Sequence, residues 1–175
     1  MIKHKEQRVG VFVDMGNMYH SAKNLYGANV NFKEVLKAAV ADRKLVRAIA
    51  YVVQAKSAEE EGFFEALSNL GFEVRMKELQ VFFGGAKKGD WDIGMAMDAI
   101  KLADRLDSII LVTGDGDFAP LVEYLQVNKG CLVEIVAFRE TCSSHLIERA
   151  DDFIDMSQEK GKFLIGNKLR YKKRR

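Results

Sequence analysis

The sequence predicts an α/β domain built on a mainly parallel sheet. Apolar runs of strand length alternate with helical patterns, as where Val9–Asp14 is followed by a helical stretch that ends at Gly27. The run Phe72–Gln80 instead alternates apolar and polar residues with a period of two, which is typical of a strand near a sheet edge. Strands that alternate with helices indicate parallel strands covered by helices on both faces.

Short apolar runs bounded by glycine or polar residues predict the remaining strands. They span Leu45–Val53, Ser108–Thr113, Leu132–Phe138 and Phe153–Met156. Helices are predicted between them from apolar spacings of three and four residues and from end signals such as Asn31 before a helix and Gly130 after one. These helices span Asn31–Ala41, Ala58–Gly71, Asp92–Leu106, Asp117–Gly130 and Ser143–Asp151.

Length and charge indicate one globular domain with a basic tail. The chain has 175 residues, 48% of them hydrophobic and 30% charged. Residues 160–175 hold eight of the 27 basic side chains and none of the 25 acidic ones, so the rest carries a charge of about −6. We expect a domain at 1–158 and a tail at 159–175 that contacts a polyanion. The first residues lack the apolar core of a signal peptide, and no apolar run approaches the ~18 residues that span a bilayer, so we expect a cytoplasmic protein without a membrane partner.

Acidic residues follow two of the predicted strands. Asp14 ends the first strand, and Asp115 and Asp117 follow the fourth strand just after Thr113. Open parallel sheets bind ligands beyond the carboxyl ends of their strands, so these side chains should share one rim. Grouped carboxylates repel one another unless they hold a proton, meet basic groups or bind a hard cation. Oxygen ligands without a Cys/His cluster favour Mg²⁺ or Mn²⁺ over zinc.

The same stretch allows two other interpretations. Asp117 alone is explained by capping of the helix that follows, whereas capping accounts less readily for Asp14 and Asp115. The letters GDGDFA, beginning at Gly114, also fit a dinucleotide-binding fingerprint. That interpretation fails because the two aspartates would face a pyrophosphate, and because Glu134 falls within a strand instead of at its end.

Four motifs in order resemble the NYN domain in its LabA-like branch, part of the PIN-like nuclease superfamily. They are FVDMGNMY, KKGDWDIGMAMDA, ILVTGDGDFAPLVEYL and SSHLIERADDFIDM, and they extend from about Val9 to Met156. The resemblance implies a three-layer α/β/α Rossmann-like (PIN-like) domain with an acidic pocket for Mg²⁺ or Mn²⁺. In the second motif one residue more than expected separates Lys88 and Gly89 from Asp92, which leaves Asp90 as an alternative to Asp92.

The resemblance also implies a set of site residues. The metal ligands would be Asp14, Asp92, Asp115 and Asp117. Asn17 would be a polar partner of the first acid, Asp98 a second acid on the helix, and Thr113 a hydroxyl near the metal and substrate. Asp92 and Asp98 lie about 120° apart around a regular helix, so both serve one site only if Asp92 is at the helix start. A surface or ion-paired Asp98 is the alternative.

The segment Val81–Trp91 combines aromatic and basic side chains. Phe83 and Trp91 can stack on bases and Lys88 can neutralise a phosphate, which suits a single-stranded nucleic acid. Packing of Phe83 in the core or against a dimer partner, and a solvated Lys88, are the alternatives.

These observations favour a metal-dependent nuclease, with RNA as the expected substrate and the basic tail contributing to its binding. A weakly active or non-catalytic module that binds RNA or protein is the alternative. A phosphatase with a nucleophilic aspartate on the first strand fits less well, because Asp14 is followed by Met15 and Gly16 in place of the usual D-x-D. A homodimer is compatible with an exposed sheet edge.

Overall fold

A central parallel sheet organises the domain. The computed structural model describes residues 3–54, 58–78, 80–81, 87–88 and 90–166, and only the backbone of 58–60, 80–81 and 87–88. The strands are β1 (Arg8–Asp14), β2 (Asn29–Val30), β3 (Lys44–Gln54), β4 (Glu73–Glu78), β5 (Gln80–Val81), β6 (Lys87–Lys88), β7 (Ser108–Val112), β8 (Leu132–Ala137), β9 (Asp152–Asp155) and β10 (Leu164–Ile165). The helices are α1 (Met15–Tyr26), α2 (Phe32–Val40), α3 (Ala58–Asn69), α4 (Asp92–Ala103), α5 (Ala119–Lys129), α6 (Ser144–Arg149) and α7 (Lys160–Phe163).

The main sheet has six strands in the order β4-β3-β1-β7-β8-β9, and every neighbouring pair is parallel. From β1 the chain proceeds outward through β3 to β4, then returns to the centre and proceeds the other way from β7 to β9. Right-handed crossovers therefore place the helices of the two halves on opposite faces. The predicted α/β architecture is confirmed, and β4 lies at the edge as its alternating pattern predicted.

The central strands are apolar because both faces of the sheet are covered. All five residues of β7 are buried, and so are Val9–Val13 of β1. The pair β1–β7 is the point where the strand order reverses, and Val13 lies opposite Val112 at the carboxyl end of this pair. A crevice forms at such a reversal, because the connections leave the two strands in opposite directions.

The first part of the basic segment packs on the domain. Phe163 of α7 is 1% exposed, and its carbonyl oxygen accepts a hydrogen bond from the Asn31 amide at 2.8 Å. β10 pairs with β2 in antiparallel fashion. The apolar Phe163–Ile165 thus anchor the segment, while residues 167–175 lie outside the described part of the chain. None of the described helices has the length and apolar character needed to cross a bilayer.

Candidate functional site

Asp14 and Thr113 bring together the ends of β1 and β7. Asp14 Oδ1 accepts the Asn17 amide at 3.0 Å and so caps α1, while Oδ2 accepts the Thr113 hydroxyl at 3.3 Å. Asn17 Oδ1 in turn accepts the Gly114 amide at 2.9 Å. Side chains from β1 and α1 therefore hold the loop that follows β7.

The loop Thr113–Asp117 (hereafter the acidic loop) positions two more carboxylates. The Asp115 amide donates to Thr113 Oγ1 at 3.2 Å, and Asp115 Oδ1 accepts the Asp117 amide at 3.0 Å. Asp115 is thus the cap of a short 3-10 turn, Gly116–Phe118, that leads into α5. The sequence made Asp117 the candidate for a helix cap, but Asp117 lies within the 3-10 turn. The residues that cap helical turns are Asp14 and Asp115. One carboxylate can cap with one oxygen and keep the other for a ligand, so capping and ligation are compatible.

The two glycines of the acidic loop are required for close approach to a neighbouring segment. A Cβ on Gly114 would lie 2.9 Å from the Thr141 carbonyl oxygen, and one on Gly116 would lie 2.8 Å from Ser143 Oγ. Neither glycine has a positive φ, so the loop needs them for the space that a Cβ would fill and not for a left-handed backbone. The segment 139–143 packs on the acidic loop, and the Ser143 amide donates to the Gly114 carbonyl at 2.9 Å.

Asp92 is the first residue of α4 and belongs electrostatically to the same cluster. Burial, followed by the negative charges of Asp14, Asp90, Asp115 and Asp117, raises the pKa of Asp92 to about 6. Asp90 precedes the helix and is exposed, whereas Asp92 is half-buried. The pKa of Asp14 is also raised, mainly by burial and in part by the charge of Asp115, against its hydrogen bonds.

The cluster is an all-oxygen donor set without a described counter-charge. Within the described residues, no lysine or arginine forms an ion pair with Asp14, Asp92, Asp115 or Asp117. The same residues contain no group of three acidic, His or Cys side chains already arranged to hold a metal ion. Two carboxylates ~4 Å apart repel by ~4 kcal/mol at an effective dielectric constant of 20. Carboxylates without a cation are therefore expected to stay apart, and the donor chemistry fits Mg²⁺ or Mn²⁺.

Asp98, in the middle of α4, belongs to a separate hydrogen-bond network between this helix and the sheet. Its Oδ2 accepts the Tyr51 hydroxyl at 2.8 Å and the Arg75 guanidinium at 2.6 Å, and its side chain is 13% exposed. The sequence gives no direct signal for this network, since Tyr51 and Arg75 become neighbours only through the register of β3 and β4. This is the ion-paired alternative for Asp98, and it agrees with the angle between Asp92 and Asp98 on α4.

Trp91 packs directly before Asp92. Its indole N–H donates to the Val52 carbonyl at 2.8 Å, and its ring contacts the backbone at Gly94, where a Cβ would come within 2.5 Å. Lys77 lies over the ring, 5.9 Å from a ring centroid, and donates to the Asp90 carbonyl at 3.1 Å. Trp91 and Lys77 therefore fix the start of α4.

Thr113 is fully buried and supports Asp14, while Phe83 and the Lys88 side chain lie outside the described residues.

Glu134 forms its contacts far from the rim of the sheet that carries the acidic cluster. The buried carboxylate forms ion pairs with Arg43 and with Lys3, the latter at 2.7 Å, and accepts the Ser108 hydroxyl at 2.6 Å. Since Ser108 begins β7, this network lies toward the amino ends of the strands. The rejection of a dinucleotide-binding role for Glu134 agrees with this position.

A doubly wound sheet with acids at its switch point is consistent with the nuclease-type fold of the PIN-like class. The family model of the NYN domain matches residues 8–157. The chain belongs to the NYN domain family, whose members are generally nucleases. It is 27% identical over 161 residues to the "Low amplitude and bright protein LabA" of Synechococcus elongatus, covering 87% of this chain and 86% of that protein, which agrees with the LabA-like branch.

A solved structure shares the whole architecture. The crystal structure of a protein of unknown function from Vibrio parahaemolyticus has a TM-score of 0.85 and 32% sequence identity. The match covers 94% of this chain and 100% of the Vibrio chain. The six-stranded arrangement is therefore shared by a relative of known structure.

Proposed function

We propose that this NYN-domain protein is a metal-dependent endoribonuclease that hydrolyses phosphodiester bonds of RNA. The observation that supports the proposal is the convergence of Asp14, Asp92, Asp115 and Asp117 at the switch point, where none of them forms an ion pair within the described residues. An acidic pocket repels a polyanion, so a substrate with phosphates requires a cation there first.

Asp14, Asp92, Asp115 and Asp117 are the proposed ligands of Mg²⁺ or Mn²⁺. A bound divalent cation supplies positive charge for the phosphate and lowers the pKa of water, which makes a nucleophile available at neutral pH. Asp92 is preferred to Asp90 because it is half-buried at the helix start. Asp98 is assigned to positioning because its charge is already paired with the Arg75 guanidinium, whereas the four proposed ligands form no ion pair within the described residues.

Asn17 is proposed to contact the substrate as well as the acidic loop. Its Oδ1 is used by the Gly114 amide, which orients the side chain at the rim. The two hydrogens on Nδ2 are then available to donate to a phosphate oxygen. Thr113 holds Asp14 and the Asp115 amide in place from beneath. The basic residues beyond Phe163 are proposed to contact RNA phosphates outside the pocket.

The proposal is tested with labelled single-stranded RNA and DNA in Mg²⁺, Mn²⁺ or EDTA. We expect wild-type cleavage of RNA in metal, no cleavage in EDTA, and a loss of at least about a hundredfold in Asp115→Asn, because one carboxylate ligand is removed. Asp42→Asn, on an exposed turn with φ of 61°, is the matched control and should cleave like wild type. Equal cleavage by Asp115→Asn and wild type would contradict the proposal.

One observation favours the second candidate, a non-catalytic module that binds RNA or protein. The described acidic, His and Cys side chains contain no ready-made group of three ligands, and both Asp14 and Asp115 have structural roles as caps. The same experiment decides between the candidates. RNA binding without cleavage in either metal, together with unchanged binding by Asp115→Asn, would support the module.

A further inference from the structure

An apolar groove lies between α4 and α5 on the face that carries both helices. Its volume is about 360 Å³, and its walls include Ile93 and Ile100 on α4 and Pro120 and Tyr124 on α5. Ile93 is 77% exposed and Tyr124 is 40% exposed. Pockets of ~300–1,000 Å³ with apolar walls and a few polar groups are typical of small-ligand sites, and this one is at the small end of the range.

The groove is continuous with the acidic cluster. Asp92 and Asp117 line the groove as well as the rim of the proposed metal site. A phosphate held at the cluster would therefore place the adjoining nucleoside at the mouth of the groove. Among the described residues, no lysine or arginine lines the groove, so its walls suit a flat, uncharged group and not a phosphate.

A second copy of the chain fits the groove less well. A protein partner seated there would cover Asp92 and Asp117, and neither carboxylate has a described cation to neutralise it. Charged residues are depleted at the centre of protein interfaces because burial of an unpaired charge is costly. A nucleobase leaves the carboxylates at the mouth in contact with water.

We propose that the groove between α4 and α5 binds one nucleobase of a single-stranded substrate, next to the phosphate at the aspartate cluster, with Tyr124 as its stacking surface. The inference rests on the proposed function, because it uses the cluster as the phosphate position. It assigns base recognition to α4 and α5.

The test compares binding of a short single-stranded RNA with copies in which one nucleoside at a time is abasic, with Ca²⁺ as the cation. Tyr124→Ala should weaken binding of the intact RNA about tenfold, the effect of losing one stacked base. One abasic copy should bind wild type about tenfold more weakly, yet bind Tyr124→Ala no more weakly than the intact RNA does. Such non-additivity shows that the ring and the base interact.

Two variants serve as controls. Tyr124→Phe keeps the ring and should bind like wild type. Val127→Ala changes an apolar residue of α5 that is 76% exposed and does not line the groove, so it should also bind like wild type. Equal loss in Tyr124→Ala and Val127→Ala, or no loss in either, would overturn the inference. A wild-type dimer that dissociates in Tyr124→Ala with unchanged RNA affinity would overturn it as well and assign the groove to a second copy.

The cleavage assay separates the two proposals. If wild type cleaves RNA but neither binding nor KM changes in Tyr124→Ala, the base site is wrong and the nuclease stands. If wild type cleaves nothing in Mg²⁺ or Mn²⁺ but Tyr124→Ala selectively loses base-dependent binding, the nuclease is wrong and the groove stands as a base-binding site.

Discussion

At the scale of single residues, the site depends on carboxylates that cap a helical turn and are also proposed metal ligands. Asp14 and Asp115 each cap a helical turn with one oxygen, which fixes the orientation of the carboxylate. The absence of a side chain at Gly114 matters equally, because the backbone of Thr141 and Cys142 occupies the space that a Cβ would need. The position of Asp115 is therefore set by its own cap and by the neighbouring segment.

Gly114→Ala should destabilise the fold by about 1–3 kcal/mol and impair the site. The added methyl group meets backbone atoms at 2.9 and 3.0 Å, so the acidic loop or the segment 139–143 has to move. Chemical unfolding and cleavage assays measure the two effects. Gly62→Ala, in α3 with no atom within 4 Å of the new Cβ, is the control and should be neutral or stabilising. A Gly114→Ala protein as stable as wild type would refute the close-packing argument.

The raised pKa of Asp92 predicts a pH-dependent stability without metal. The folded state favours the neutral form of Asp92. The free energy of unfolding should therefore fall as the pH rises from about 4, the ordinary pKa of an aspartate, through about 6, the pKa of Asp92 in the folded protein. Above pH 7, Asp92→Asn should be more stable than wild type by about 1 kcal/mol after allowance for solvent screening, or about 2–4 °C. Below pH 4 the stabilities of wild type and Asp92→Asn should converge.

Thermal unfolding in EDTA at several pH values measures this difference. Asp42→Asn, at an exposed position on the turn after α2, is the control for replacing an aspartate outside the cluster. Added Mg²⁺ or Mn²⁺ should reduce the advantage of Asp92→Asn, since the cation neutralises the cluster. A difference that is constant from pH 4 to pH 8 would contradict the assigned cause.

At the scale of elements, contacts with the edge of the sheet hold α4 in place. Arg75 and Tyr51 bind Asp98 in the middle of the helix, while Lys77 and Val52 bind the residues just before it. These contacts connect β3 and β4 to the helix whose first residue is Asp92. The edge of the sheet thus controls the distance between Asp92 and the acids at the switch point.

Asp98→Asn should lower stability by about 1–2 kcal/mol and reduce cleavage without changing the metal concentration that gives half-maximal activity. The charge paired with Arg75 is lost, but no ligand is removed. Metal titrations of cleavage, beside unfolding curves, measure both quantities. Asp104→Asn removes a more exposed pair with Lys129 just after the same helix and should change stability by less than about 1 kcal/mol. A marked rise in the metal requirement of Asp98→Asn would make Asp98 a ligand.

At the scale of the whole molecule, a stabilising network and the proposed functional site lie at opposite ends of the strands. Arg43, Glu134 and Ser108, which are buried, and the partly exposed Lys3 form one network toward the amino ends of the strands. This network ties the first residues and the end of α2 to β7 and β8. The acidic cluster occupies the carboxyl ends. A defect in the first group should therefore reduce the amount of folded protein and leave the chemistry of each folded molecule intact.

Glu134→Gln should destabilise the protein by about 3–5 kcal/mol, because Arg43 keeps its charge in a fully buried place. At ~2–4 °C per kcal/mol, the unfolding temperature should fall by roughly 6–20 °C. Well below that temperature, kcat should equal the wild-type value. Glu123→Gln breaks an exposed pair with Arg149 and should cost no more than about 1 kcal/mol. A large change in kcat at unchanged stability would disprove the separation.

The sequence predicted what depends on local pattern and on the rules of parallel sheets. Buried strands read as continuous apolar runs, and Asp14 and Asp115 were assigned to one rim because both follow such strands. It did not predict the Arg75–Asp98 pair or the pairing of β10 with β2, which depend on register between segments distant in the chain. It also gave no sign of the close packing at Gly114 and Gly116, because the segment that packs on them lies more than 20 residues further along.

The separation of the acids along the chain has a consequence for synthesis. Asp14 and Thr113 are 99 residues apart, and they meet only when β7 pairs beside β1. A chain emerging from a ribosome, or one released early from a damaged message, can form β1, β3 and β4 without any acidic pocket. Strand pairing across such a distance also forms slowly compared with local structure. The acidic pocket therefore requires a chain that extends beyond β7, and we expect fragments that end before β7 to lack it.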